Sequence, residues 1–315
     1  MVRTSTAEKH NFVCPACGDE LRQDNTGRGY VAHVSNPRCL FEKGERDDLG
    51  PTATPRRASR HVFPAHEPAD GVRVCGYSER GIFNALLYEI EFCANPVGAL
   101  RELLALITVP GGARDFSDLQ GAEVLVEQSL SDFGDADVVL LLHGSDWHCA
   151  VFVEGKVKPS QVGRWSIDSA WSEFLARKGG RLDSSNLFTQ LYHKVRFVAG
   201  LRQGGASALQ RGLVFPECST KTIRKLGSNP VVRRAASMIE TYLEEAFYIA
   251  LVPDSIDALA GFFSGKLLRG PGEDITGWDT AGWGYLTWRQ VEEFCRQQDL
   301  KNTLRVFEFN TGQIY

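Results

Sequence analysis

The sequence predicts an α/β fold, a mixed sheet flanked by helices, and three observations carry that prediction. From residue 72 onward, segments with helical apolar spacing alternate with strand-sized apolar runs. Two of those runs, residues 137–143 and 147–157, are separated by Gly144-Ser145-Asp146, which is turn chemistry. Both faces of the resulting hairpin are apolar, as expected of strands covered on both sides.

The elements follow in order. A helix is expected from Ser78, read as its N-cap, to about Phe92, with the apolar stripe Ile82, Phe83, Leu86, Leu87 and Ile90. Pro96 opens a second helix reaching Ile107. Residues 122–128 alternate like a strand and precede the hairpin. Residues 169–177 and 186–200 read as helical. A helix at 230–245 is followed by a strand at 247–253 and a helix at 255–268. Thr287 with Gln290 forms a capping box for a helix to about Gln298. Residues 303–310 read as a final strand. Trp278, Trp283, Tyr285 and Trp288 form an aromatic segment with glycines, expected to pack as a loop against the last helix.

Composition bounds the function. With 315 residues, 43% of them apolar, the chain can bury one large core domain plus a small accessory module. The expected division is a metal-binding module at 1–45, a Pro/Arg/Asp-rich linker at 46–71 and the α/β domain at 72–315. No apolar run approaches the roughly 18–20 residues of a membrane span. The first ten residues have no apolar leader core, so a cytoplasmic location is expected. The net charge of −4 excludes a protein coated in basic residues. Charge is nevertheless segregated: residues 194–234 hold nine Lys or Arg and one acid, Glu217. Such a stretch reads either as a nucleic-acid footprint or as an ordinary solvated surface.

Of eight cysteines, three cluster near the N-terminus. Cys14-Pro15-Ala16-Cys17 is a CxxC knuckle, and His33 and Cys39 follow at a spacing that suits a tetrahedral structural Zn²⁺ site. His10 is a ligand of poorer spacing. Four protein ligands leave no open position for a reacting water, and metal would supply the folding energy of so small a module. The remaining cysteines, Cys75, Cys93, Cys149, Cys218 and Cys295, are expected to be small buried hydrophobes.

The hairpin carries the chemistry. With its turn centred between Ser145 and Asp146, paired residues sum to 291, and Asp137 falls opposite Glu154. Cross-strand partners share a face, and Lys156, two residues further on, shares it too. Two carboxylates and an ammonium at one end of an apolar ribbon are costly unless paired or bound to metal. They are also what a Mg²⁺-dependent phosphodiesterase needs: oxygen ligands for the ion and a cation beside the attacking water. Glu79 sits on the apolar face of the first helix, directed at the sheet. Asp135 competes with Asp137 for the metal role. Gln190 and Lys194, one turn apart on a later helix, can face the site or a nucleic-acid backbone. His143 and His148 pair at the hairpin tip, where a solvated imidazole pair is expected rather than a metal site.

Glu79 on a first helix, a strand at 122–128, Ala136-Asp137 opening the next strand and Glu154-Gly155-Lys156 on a third resemble the PD-(D/E)XK, or restriction-endonuclease-like, nucleases. The resemblance implies an αβββαβ core over about residues 77–200. It also implies hydrolysis of DNA phosphodiester bonds with Mg²⁺ or Mn²⁺, held by Asp137, Glu154 and the Gly155 carbonyl. Lys156 would position the attacking water and Glu79 would act beside the metal. Ala136 stands where the family name has proline. DNA is the expected partner, and a homodimer or assembly with other proteins stays open. The alternative is a catalytically inactive nucleic-acid-binding or adaptor protein on the same scaffold, and a third reading is a protein scaffold nucleated by the zinc module. No P-loop and no GxSxG nucleophile motif is present.

Overall fold

The computed structural model describes residues 12–13, 20–23 and 31–33 as backbone elements, and residues 74–112, 115–157, 165–176, 182–217, 221–271 and 275–314. The chain divides into two compact units, Met1–Arg73 and Val74–Tyr315. In the first, β1 (Phe12–Val13), β2 (Glu20–Gln23) and β3 (Val31–His33) pair antiparallel in that order, with Leu21 in register with both Phe12 and His33. Cys14, Cys17, Cys39 and the His33 side chain, the expected zinc ligands, lie outside the described residues, as do His10 and the expected linker.

The second unit begins with α1 (Ser78–Glu91), α2 (Pro96–Ala105), β4 (Gly121–Ser129), β5 (Asp135–His143) and β6 (His148–Gly155). It continues with α3 (Ile167–Ala176), α4 (Leu187–Arg211), β7 (Leu213–Val214), β8 (Ile223–Arg224), α5 (Pro230–Glu240) and β9 (Glu245–Val252). It closes with α6 (Ile256–Gly265), β10 (Trp283–Thr287), α7 (Trp288–Gln297) and α8 (Lys301–Phe309). Five strands form one sheet in the order β10-β9-β6-β5-β4. β4, β5 and β6 run antiparallel to their neighbours, and β6, β9 and β10 run parallel, so the sheet is mixed as expected. A parallel step needs a long crossover, which α3, α4 and α5 supply between β6 and β9.

Alternate side chains of β5 and β6 enter two separate cores. Val138, Leu140, Leu142, Cys149, Val151 and Val153 pack with α1, α2, α7 and α8. Val139, Leu141, Ala150 and Phe152 pack with α3, α4, α5 and α6. This three-layer burial explains why the hairpin reads as continuously apolar. Its register matches the expected sum, from Val138↔Val153 to His143↔His148, and the Gly144 amide closes the turn onto the Trp147 carbonyl at 3.1 Å.

Local signals hold at most helix starts. Asn95 caps α2, Asn186 caps α4, Ser255 caps α6, and Thr287 with Gln290 forms the full capping box of α7. Ser78 departs from its expected role. It is the first residue of α1, at φ 62°, and its amide donates to Asn310 Oδ1 at 2.7 Å, from 232 residues away. Asn310 Nδ2 donates to the Gly76 carbonyl at 2.9 Å. The same approach needs two glycines: a Cβ on Gly81 would stand 2.2 Å from the Gly76 carbonyl carbon.

The expected C-terminal strand at 303–310 is instead helical, α8. Thr303, Val306 and Phe307 are buried at helical spacing, although their side chains favour strands in isolation. Leu300 cannot cap α8, and Glu89 of α1 does so, accepting from the Asn302 and Thr303 amides at 3.0 and 2.8 Å. The first and last helices of the unit thus cap one another. The aromatic segment packs in the core, but Trp283 and Tyr285 do so from β10, a strand rather than a loop. Cys149 and Cys295 are buried and Cys93 is half-buried, whereas Cys75 is exposed, contrary to expectation, because it precedes α1 outside both cores; Cys218 lies outside the described residues.

Replacing Asn310 by Ala removes the cap of α1 and leaves Gly76 and Ser78 without this partner. A loss of about 1–2 kcal/mol in unfolding free energy is expected from urea titration.

Candidate active site at the end of the hairpin

Asp137 lies near the start of β5 and Glu154 near the end of β6, so the antiparallel register brings both to one end of the sheet. The ladder itself stops one pair earlier, at Val138↔Val153, and the Asp137 side chain takes over the bridging: Oδ2 accepts the Gly155 amide at 2.7 Å. Gly155 has no side chain for a reason. A Cβ there would stand 3.0 Å from Phe83 and 3.2 Å from the Cβ of Glu79, both on α1. The close seat lets the first turn of α1 approach the Glu-Gly-Lys segment.

Glu154 points to the other helical layer. It is fully buried, and its Oε1 lies 2.9 Å from the ammonium of Lys194, which is also fully buried on α4. Lys194 further donates to the main-chain carbonyl of Asp135 at 2.7 Å. The ammonium meets the carboxylate off the direction a hydrogen bond requires, so both Glu154 oxygens lack a well-aligned donor. Burial pushes the Glu154 carboxyl up to about 7, against the attraction of Lys194, and repulsion from Asp137 adds to the rise. Lys194 is one of the two α4 residues that sequence reasoning placed near the site, and it reaches it. The other, Gln190, keeps its Oε1 buried without a partner.

Glu79 is half-buried. Its carboxyl is raised mainly by burial and then by Asp137, while its own backbone amide, Lys156 and Arg80 pull the other way. Lys156 is half-buried at the end of the β6 segment, where its amide donates to the Leu251 carbonyl and its carbonyl accepts from Trp288 Nε1 at 2.7 Å. Asp135 is exposed, and its main chain rather than its carboxylate meets Lys194.

One acid was missed by sequence reasoning. β4 and β5 pair so that Val126 meets Val138 and Gln128 meets Ala136, which places Glu127 opposite Asp137. Glu127 adopts φ 52°, a left-handed conformation costly for a side chain of its size, and the ladder skips that position. Its carboxyl is raised by burial and then by Asp137, opposed by Arg80, with which it forms a 2.9 Å ion pair. The connection between β4 and β5 is a 3-10 turn, Ser131–Phe133, rather than a two-residue turn, so no simple sum gives this register from sequence.

The field of Asp137 therefore reaches three carboxyl groups from three different elements: Glu154, Glu79 and Glu127. Among the described residues, no three His, Cys, Asp or Glu side chains stand together as a ready metal cluster. The donor set that suits Mg²⁺ is smaller, one or two carboxylates with water making up the rest, and the Glu154 oxygens beside Asp137, one of them ion-paired with Lys194 and neither with an aligned hydrogen-bond donor among the described residues, are hard donors of that kind. At the far end of the hairpin the His143 and His148 rings stack with centroids 6.2 Å apart, and His148 also meets Tyr242, as an exposed tip. No family model matches the chain, and no curated protein or solved structure matches it either.

Between its ordinary value of 4.5 and about 7, Glu154 is protonated in the folded protein and ionised in the unfolded chain. The folded state then binds more protons, so this group's contribution to stability falls as pH rises through that window and levels off above it. Denaturant midpoints of the metal-free protein should show this limb, and Glu154→Gln should flatten it. Lys194→Met, which strands an ionised Glu154, should cost about 3–5 kcal/mol at roughly pH 8 and markedly less at roughly pH 5.

Proposed function

We propose that the chain is a metal-dependent nuclease of the PD-(D/E)XK type, hydrolysing phosphodiester bonds of DNA. The observation that carries this reading is the junction of Asp137 with the Gly155 amide, beside a buried Glu154 whose oxygens lack aligned donors. The succession α1, β4, β5, β6, α4, β9, with α2, α3, β7, β8 and α5 interposed, supports the reading because it accommodates an αβββαβ core.

Asp137, Glu154 and the Gly155 carbonyl would hold Mg²⁺ or Mn²⁺, and a bound ion would polarise the scissile phosphate and acidify a water. Asp137 has one oxygen committed to Gly155 N and the other available as a donor. Lys156, half-exposed at the strand end, would orient the attacking water and balance charge growing on the phosphate. Glu79, whose carboxyl is raised chiefly by burial, would serve beside the metal as a proton acceptor or water anchor. The structural Zn²⁺ site of Cys14, Cys17, His33 and Cys39 belongs to the same proposal as a separate, closed module.

One observation favours a second reading, a catalytically inactive nucleic-acid-binding or adaptor protein. The Glu154 carboxylate already has a cation, Lys194, at 2.9 Å. If that ammonium stands permanently where a divalent ion would sit, the scaffold binds without cutting.

Incubating the purified chain with labelled single- and double-stranded DNA and RNA, with Mg²⁺ or with EDTA, separates the two. Cleavage of DNA only with metal is expected. Asp137→Asn, Glu154→Gln and Lys156→Ala should each lower the rate at least about a hundred-fold while circular dichroism stays unchanged. Full activity in Asp137→Asn would move the ligand role to Asp135, and binding without cleavage by the parent chain would establish the inactive reading.

A further inference from the structure

The basic stretch between residues 194 and 234 does not form one uniform surface. Four of its nine cations are held by a buried carboxylate or by main-chain carbonyls at 3.1 Å or closer. Lys194 is buried with Glu154. Arg196 donates to the Thr276 and Val214 carbonyls at 3.0 and 2.6 Å, Arg202 donates to the Leu243 carbonyl at 3.1 Å, and Arg224 donates to the Asp132 carbonyl. Lys221 pairs with the Asp132 carboxylate. The remaining four, Arg211, Lys225, Arg233 and Arg234, are exposed.

Three of those four converge at the base of the β7–β8 hairpin. Arg211 ends α4 and is followed by Gly212, whose Cβ position would lie 3.5 Å from the Cβ of Lys225. The Leu226 amide donates to the Leu209 carbonyl at 2.9 Å, and Arg233 Nε reaches back to the Gly227 carbonyl at 3.4 Å. Above this base, Val214 and Ile223 are cross-strand partners, 60% and 53% exposed. Exposed apolar side chains over cations that have no carboxylate partner among the described residues suit a polyanion that also has a nonpolar sugar or base face.

The hairpin is fastened to the candidate active site. Asp132 Oδ2 accepts the Lys225 amide at 3.1 Å, and Ser131 Oγ accepts the Gly227 amide at 2.9 Å. Both lie in the 3-10 turn that leads into β5, next to the Phe133 and Asp135 carbonyls that receive Lys194. Five residues separate Asp132 from Asp137, a reach of at most roughly 18 Å. That is about five phosphates along one strand of B-form DNA, at roughly 3.4 Å each.

We infer that the β7–β8 hairpin, with Arg211, Lys225 and Arg233 at its base, is a clamp for a nucleic-acid backbone that feeds the strand to Asp137 and Glu154. The inference rests on the nuclease reading for its direction toward the site, but the binding itself does not require cleavage. The cations contact successive phosphates without reading sequence, and the hydrogen bonds to Ser131 and Asp132 tie the clamp to the turn that leads into β5.

The test measures binding of the full-length chain to a short labelled DNA duplex and to its single strand, in EDTA, over a range of NaCl concentrations. The triple substitution Arg211→Gln, Lys225→Gln and Arg233→Gln should weaken binding about ten-fold or more. It should also reduce the slope of log affinity against log salt by about 0.9 for each phosphate contact removed. Val214→Glu, a single exposed change, should weaken binding in the same direction. The control triple Arg269→Gln, Lys301→Gln and Arg305→Gln removes the same charge elsewhere and should leave affinity and slope unchanged. Equal affinity and slope in the hairpin triple overturns the inference, as does a parent chain that binds no nucleic acid. If the hairpin triple loses binding while the parent never cleaves with Mg²⁺, the clamp stands and the nuclease reading fails. If the parent cleaves and the triple binds normally, the nuclease reading stands and the clamp fails.

Discussion

The buried contact between Lys194 and Glu154 is the constraint around which this end of the molecule is organised. Each side chain is removed entirely from water. Two such charges are tolerated only where each compensates the other and the surrounding main chain helps. Here the help comes from the Asp135 carbonyl, so one ammonium ties α4 to the end of β6 and to the start of β5. The contact is not a hydrophobic convenience. Phe152 and Ala150 precede Glu154 on the same face, and an apolar residue would have continued that core at lower cost. A strand that ends in a desolvated carboxylate is the feature on which the proposed nuclease reading is centred, because perturbed ionisation gathers at functional sites.

Much of this arrangement was legible in the sequence because it is local. The hairpin turn, the sum rule of its pairing, Pro96 in the first turn of α2 and the capping box at Thr287 all depend on residues within a few positions of one another. What was not legible depended on distant partners. Ser78 resembles an N-cap, yet the group that satisfies its amide is Asn310. Residues 303–310 carry β-branched and aromatic side chains, yet a carboxylate from α1 starts a helix there. β10 looked like a loop because its glycines and tryptophans hide a strand whose pairing comes from distant segments, the β9 ladder and a bridge from Thr108 to Tyr285.

The same division runs through the candidate site. Asp137, Glu154 and Gly155 meet through the hairpin, and the sequence placed them correctly relative to one another. Glu127 enters through a longer connection and a left-handed backbone, neither of which has a short-range signature. Lys194 comes from a helix some forty residues downstream; helical spacing with Gln190 allowed it to face either the site or a nucleic-acid backbone, and its buried pairing with Glu154 decides for the site.

The reciprocal capping of α1 and α8 has a consequence for synthesis. α1 leaves the ribosome more than two hundred residues before Asn310 exists to receive the Ser78 amide. Until then the first turn bearing Glu79 has an open end, and α8 in turn waits for nothing but Glu89. A nascent chain that has not reached Asn310 therefore carries the entry to α1, next to Glu79, without the side chain that holds it. On the proposed nuclease reading, chemistry at Glu79 would have to wait until translation had passed Asn310.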